Sequence, residues 1–281
     1  MNPSAAATAA LSPAALSPAA LADAPWVDRV DQAGISTLTM LRPERANPLS
    51  RPMIDALRAH LTAIAADRSI RVVVLAATGR AFCAGHDLRE LKAHRDDEVW
   101  LRALFDDCSA LMVALTHMPQ PVIARVQGIA TAAGCQLVSM CDLAVASSEA
   151  RFALPGVNVG IFCTTPAVGV ARSILRKQVL EMLLTGEAID AQAALARGLV
   201  NRVVPAEALD DQVMHLATLI GSRSSALVAA GKQAFYRQVE MTLDAAYSLA
   251  SAEMVRALGL DDAGEGIDAF LGKRAPTWSH G

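Results

Sequence analysis

The apolar positions of this chain follow two different rhythms. Residues 27–30 and 35–41 are short β-rich runs on either side of Asp31-Gln32-Ala33-Gly34, a turn composition that predicts a hairpin. Residues 42–48 contain two prolines, which disfavour helix in the residue before each, and so predict a loop. Ser50 then stands as a helix N-cap with Pro52 in the first turn. Ile54, Leu57, Leu61 and Ile64 recur at three- and four-residue spacing and predict an amphipathic helix to about residue 67. Val72–Ala77 is an unbroken apolar run, the mark of a strand buried on both faces. Residues 122–126 and 143–146 repeat that mark, with helical stretches near 97–115 and 134–140. Strand, loop and helix in repeated order predict an α/β domain with right-handed crossovers. From about Leu175 the helical rhythm takes over, punctuated by Gly186, Gly198 and Pro205. Three regions result: a tail over 1–25, an α/β core over 26–200, and a helical region over 201–281.

Composition narrows the function. With 281 residues, 53% of them hydrophobic, the chain can bury a large core. A net charge of −3 argues against a nucleic-acid partner, which calls for clustered basic residues. The five cysteines (83, 108, 135, 141 and 163) are odd in number and include no CxxC. They read as buried thiols of a reduced protein, with neither a disulfide framework nor a metal site. Residues 1–25 are nearly all Ala, Ser, Pro and Leu with no Lys or Arg, and Pro13 and Pro18 interrupt the apolar stretch. That composition suits a disordered tail better than a secretory signal or an Arg-rich transit peptide. No run reaches the ~18 uncharged apolar residues of a membrane span. The expected location is the cytoplasm, with no membrane partner.

Four segments carry a resemblance. Phe82-Cys83-Ala84-Gly85-His86-Asp87-Leu88 is the first. The second runs from Pro121-Val122-Ile123-Ala124 through Gly128 and Ala132-Ala133-Gly134-Cys135-Gln136-Leu137 to Cys141-Asp142. Leu183-Leu184-Thr185-Gly186-Glu187 with Gly198-Leu199-Val200 and Val203-Val204-Pro205 is the third, and Glu265-Gly266-Ile267-Asp268-Ala269-Phe270 with Lys273-Arg274 the fourth. Together, in this order, they resemble the enoyl-CoA hydratase/isomerase, or crotonase, superfamily. The resemblance implies an α/β fold made of a spiral of ββα repeats, with a C-terminal helical region that assembles trimers or paired trimers. It also implies a coenzyme A thioester as substrate and no separate cofactor.

Carried over by position, the resemblance makes the backbone N–H groups of His86 and Ala133 an oxyanion hole for the thioester oxygen, a device worth on the order of 3 kcal/mol per donor. The family has Gly where this chain has Ala133; alanine keeps the donor if its backbone angles suit a Cβ. Arg45, Ala46, Ala84, His86 and Asp87 fall where the family lines its coenzyme A site, and Phe270 and Lys273 would reach in from the helical tail. Read as plain structure, Asp87 caps the next helix and Lys273 is a solvated charge.

One departure bears directly on activity. The two glutamates that hydratases of the family use fall here at Gln136 and Gly156. A carboxamide cannot exchange a proton at neutral pH, and glycine has nothing to exchange. General acid–base help of about 100- to 10,000-fold is therefore missing from both positions. Asn158, Cys163, Thr164, Thr165 and Cys135 lie near them in sequence, with His94 and Glu98 further off. Three readings stay open. One is an enzyme whose enolate chemistry needs one carboxylate or none; another is a non-catalytic acyl-CoA binder; the third is a hydratase drawing its acid and base from elsewhere.

Overall fold

The computed structural model describes residues 25–280; the 1–25 tail falls almost wholly outside them. The hairpin forms as expected from β1 (Val27–Gln32) and β2 (Ile35–Met40), and α1 (Arg51–Ala66) follows. Next come β3 (Val72–Ala77), β4 (Ala81–Cys83), α2 (Leu88–Ala93) and α3 (Glu98–His117). The unit then recurs as β5 (Val122–Val126), β6 (Ile129–Thr131) and α4 (Ala133–Met140). A third turn is β7 (Leu143–Ser147), β8 (Arg151–Ala153) and α5 (Thr164–Ser173). A long strand, a short strand and a helix, three times over, form the expected ββα spiral.

The long strands build a six-stranded sheet in the order β1-β2-β3-β5-β7-β10, where β10 is Arg202–Val204. Only β1 runs antiparallel to its neighbour. The unbroken apolar run of β3 has a direct cause. Val73 and Leu75 belong to the main core with Ile54, Leu57 and Leu61 of α1. Val72 and Val74 face the other way, into a second core with Val213 and Ala217 of α8 (Leu209–Gly221). Both faces of the strand are covered, so no position is left for a polar residue.

The short strands build a second, four-stranded sheet, β4-β6-β8-β9, with β9 at Ile189–Asp190. Its parallel strands β4 and β6 end side by side, and the functional loops leave from those ends.

The helical part includes α6 (Arg176–Thr185), α7 (Ala191–Arg197), α9 (Ser225–Gln238), α10 (Leu243–Leu258) and α11 (Asp261–Leu271). The sheet reaches past residue 200, because β10 pairs with β7 and α8 covers the sheet. The purely helical segment therefore starts with α9. Lys232 ties that helix to the core. Its Nζ donates to the carbonyls of Leu115 and Gln120 and to Asp142 Oδ2, each at 2.8 Å. Asp142 Oδ2 also accepts from the N–H of Val122 at 2.6 Å. Burial pushes the Lys232 pKa down, and the Asp142 carboxylate works against that push. Helices α10 and α11 leave large apolar side chains exposed, among them Tyr247, Met254, Val255, Phe270 and Leu271. Among the described residues no single helix is long and apolar enough to cross a membrane.

Candidate active site

Two loops create the site. The first, after β4, runs through Ala84, Gly85 and His86. Gly85 has φ +89°, and a Cβ there would stand 2.9 Å from Ala132 Cβ and 3.1 Å from the Thr131 carbonyl oxygen. Glycine is thus required both by its backbone angle and by the second loop pressing on it. The Ala84 N–H donates to the Ala46 carbonyl (3.0 Å), the Leu49 N–H donates to the Gly85 carbonyl (2.8 Å), and Thr131 Oγ1 donates to the Ala84 carbonyl (3.1 Å). The backbone of this loop is held from several sides.

The second loop is the step from β6 into α4. Here Ala132 has φ 50° and ψ −121°, a conformation glycine favours. Holding alanine there costs on the order of 1–3 kcal/mol. Ala133, the first residue of α4, has no such strain, so its Cβ is compatible with its place as a donor. The N–H groups of His86 and Ala133 have no acceptor among the described residues. At the start of α4 the helix adds its positive end.

Both donor residues line one cavity of about 500 Å³. Ala84, Ala132 and Gly156 line it too, as do Leu88, Leu91 and Phe105. The remaining wall comes from residues 158–166, including Asn158, Cys163, Thr164 and Thr165. Among the described residues no Asp, Glu, Lys or Arg lines it.

The two positions where the resemblance places glutamates differ. Gln136 sits one turn into α4, almost fully buried, and its Oε1 has no partner; it is not part of the cavity lining. Gly156 does line the cavity, but the chain has closed over it. A Cβ at 156 would lie 2.3 Å from the Ile161 carbonyl oxygen and 2.9 Å from Cys163 Sγ. The Ile161 N–H donates back to the Gly156 carbonyl at 2.9 Å and holds this turn shut. A side chain at 156 therefore has no room without displacing this turn, a closure that local sequence pattern does not announce.

His86 contributes a side chain as well as an N–H. Its Nδ1 lies 3.0 Å from the Leu49 carbonyl oxygen. A carbonyl only accepts, so Nδ1 carries the proton and Nε2 keeps a bare lone pair. Nε2 is buried and unpartnered. The ring meets Phe105 edge-on at 5.2 Å. Burial holds the His86 pKa below its ordinary value, which keeps the ring neutral. Among the other nearby groups, burial raises the Cys163 thiol, partly offset by the Gly156 N–H, and pushes Cys135 up to about 12. Neither is set up as a thiolate.

A smaller depression of about 250 Å³ adjoins the cavity and shares Ala84, His86 and Leu88 with it. Arg45 and Asp87 line it, 3.7 Å apart. Asp87 also caps α2 by accepting from the Arg89 N–H, so its structural reading holds whatever else it does. Ala46 lies just behind, in a left-handed conformation at φ 61°. Phe270 and Lys273 are not brought to either hollow. Helix α11 packs on α9 and α10, and Phe270 is 82% exposed. His94 and Glu98 also lie outside the lining; His94 stacks on Trp100 instead.

The comparisons with known proteins agree with this geometry. The family model described as enoyl-CoA hydratase/isomerase matches residues 30–281. The chain is 46% identical over 249 residues to the rat protein "Enoyl-CoA hydratase domain-containing protein 3, mitochondrial", covering 89% of this chain and 83% of that one. It is 35% identical over 252 residues to the 2,3-dehydroadipyl-CoA hydratase of Escherichia coli K12, covering 88% and 96%. Among solved structures, an enoyl-CoA hydratase of Mycobacterium smegmatis superimposes with a TM-score of 0.89 at 48% identity, over 91% of this chain and 99% of that one. With the ββα spiral, the two abutting loops and these matches together, the chain belongs to the enoyl-CoA hydratase/isomerase family.

Proposed function

We propose that this protein binds acyl-CoA thioesters and polarises the thioester carbonyl between the N–H groups of His86 and Ala133, without the two-carboxylate addition of water. The carrying observation is the cavity itself. It joins two backbone donors that have no acceptor of their own to a lining without a single carboxylate. Donors fixed in advance stabilise the oxyanion of an enolate at no cost of reorganisation. Water addition also needs a group to take a proton and a group to give one, and the neutral His86 ring is the one ordinary base in the lining. Reactions needing one base or none fit best: a double-bond shift, a decarboxylation or a thioester cleavage. Coenzyme A is the carrier, with Arg45 and Arg89 as the cations lining the outer depression.

The assembly we propose is a homotrimer or a pair of trimers. The exposed apolar faces of α10 and α11 support it, and it would let Phe270 and Lys273 serve a neighbouring copy. The cytoplasm is our proposed compartment, whereas the rat relative is named as mitochondrial.

The test is hydration of crotonyl-CoA, followed by loss of the enoyl-thioester absorbance, beside calorimetric binding of acetyl-CoA. Binding without turnover is the expected result. Turnover at ordinary enzyme rates, with a median of about 10 per second, would overturn the exclusion of hydration.

A further inference from the structure

We propose that the polar hollow at the start of α9 is a second ligand site, one that takes a phosphate group with a hydroxyl on it or beside it. The hollow shares no lining residue with the cavity between the two loops, so this reading and the thioester reading stand or fall separately. Arg68 and Arg71, from the turn after α1, line it together with Gln120, with Ser225 and Ala226 of α9, and with His280. Among the described residues no Asp or Glu lines it.

The donors point to an anion. Of the N–H groups that open α9, that of Ser225 donates to His280 Nδ1 (3.4 Å), that of Leu227 to Ser224 Oγ (3.3 Å) and that of Val228 to the Ser224 carbonyl (3.0 Å). The Ala226 N–H has no acceptor among the described residues, and it stands at the positive end of a 14-residue helix. Because His280 Nδ1 accepts, Nε2 carries the hydrogen of the neutral ring and is a further donor. Arg68 has neither an acidic partner nor an acceptor among the described residues, and Arg71 spends only Nη2, on the Ala33 carbonyl at 2.8 Å. The carboxylates on the flanking segments are engaged elsewhere. Asp67 accepts from the N–H and hydroxyl of Ser69, and Asp262 from Ser279 and the His280 N–H. Two guanidinium groups, a ring N–H and a helix N-terminus around a hollow without a carboxylate suit a phosphate.

Gln120 calls for the hydroxyl. It is only 5% exposed. Its Nε2 is spent on the carbonyls of Ile64 (2.8 Å), Asp67 and Ile70 (3.3 Å each), which leaves Oε1 for the hollow, buried and without a donor. A buried acceptor of this kind needs a donor. Hydrogenphosphate has one, whereas sulfate at neutral pH has none. The hollow is also held in shape. Trp278 Nε1 donates to the Ser222 carbonyl at 2.9 Å and the Ser279 N–H to Asp262 at 2.6 Å, so residues 278–280 are strapped across the start of α9.

The experiment is titration calorimetry on the full-length protein in phosphate-free buffer, with inorganic phosphate, sulfate and glycerol 3-phosphate as probes. Phosphate should bind at least about tenfold more tightly than sulfate, the difference made by one hydrogen bond to Gln120. Arg68→Gln should weaken phosphate about tenfold. Ala226→Asp should abolish phosphate binding, because it sets a carboxylate among the donors. An acidic residue in the first turn favours the helix, so this variant keeps its fold, and circular dichroism melting checks that. Glycerol 3-phosphate binding more tightly than phosphate assigns the site to a phosphorylated polyol, and the reverse order assigns it to the free ion. Sulfate matching phosphate overturns the proposal, as does the failure of both phosphate and glycerol 3-phosphate to bind. So does loss of phosphate binding in Arg45→Gln but not in Arg68→Gln, which would put the anion in the outer depression instead.

Discussion

The two walls of the cavity are built in different ways. The donor wall, from Ala84–His86 and Ala132–Ala133, presents backbone N–H groups although alanine stands at a position of φ 50°. The facing wall, from β8 into α5, has no carboxylate among its described lining residues, and the turn at 156–163 is closed over Gly156. Backbone donors survive side-chain substitution as long as the chain can still take the same dihedrals; a carboxylate does not survive the loss of its own side chain. A wall of backbone donors is therefore the more durable kind of device.

The sharpest way to test that contrast is to put a carboxylate on the facing wall. Gly156→Glu should lower the unfolding free energy by about 3 kcal/mol, because its Cβ must displace backbone. A denaturant titration reads the loss. Crotonyl-CoA hydration gained at undiminished stability would show that the facing wall is open after all. Next comes Gly85→Ala on the donor wall, which should cost about 2 kcal/mol and weaken thioester binding about tenfold, since the left-handed angle and the Ala132 Cβ both resist it. Calorimetry with acetyl-CoA measures the second effect, and unchanged binding would remove this loop from the hole. Smaller, and of opposite sign, is Ala132→Gly. Relief of strain minus the entropy of a freer unfolded chain should stabilise by about 0.5–1 kcal/mol. A fall in melting temperature would mean that the angle at 132 is not strained.

The smallest effect concerns pH. Burial depresses the His86 pKa in the folded protein. As pH falls through the ordinary histidine value of about 6.5, the unfolded chain takes up a proton that the folded chain refuses. The stability due to His86 is full above that value and is lost on the way down to the folded pKa. His86→Phe should flatten this acid-side decline, read as unfolding midpoints between about pH 7.5 and 5.5. Parallel curves for the two proteins would place the titration elsewhere.

Legibility in the sequence divided between the two sheets. Among the interior strands of the six-stranded sheet, Val72–Ala77 is an unbroken apolar run because cores press on both its faces, and it announces itself for that reason. The four-stranded sheet is built from strands of three residues or fewer, β4, β6, β8 and β9, which carry no period to read. Yet these strands position the site. The resemblance to the family points to His86, Ala133, Gly156 and Ala84, and they share one cavity. Leu91, Phe105 and Ile161 were missed, since an apolar side chain that waits for a ligand looks in sequence like one that waits for a core. The 3.0 Å contact from His86 to the Leu49 carbonyl joins residues far apart in the chain and leaves no trace in local pattern.

The Lys232–Asp142 contact has a consequence for how the molecule comes apart. Swinging α9 away from the sheet strips Lys232 of two carbonyls and one carboxylate at once and leaves Asp142 with a single backbone donor. Breaking one side of a buried pair costs on the order of 3–5 kcal/mol. Opening α9 therefore also disturbs the carboxylate that holds the start of β5. The amides of α9 and β5 should then exchange with solvent hydrogen as one cooperative unit rather than in succession. Exchange of this helix between copies of the chain would have to wait for that shared opening.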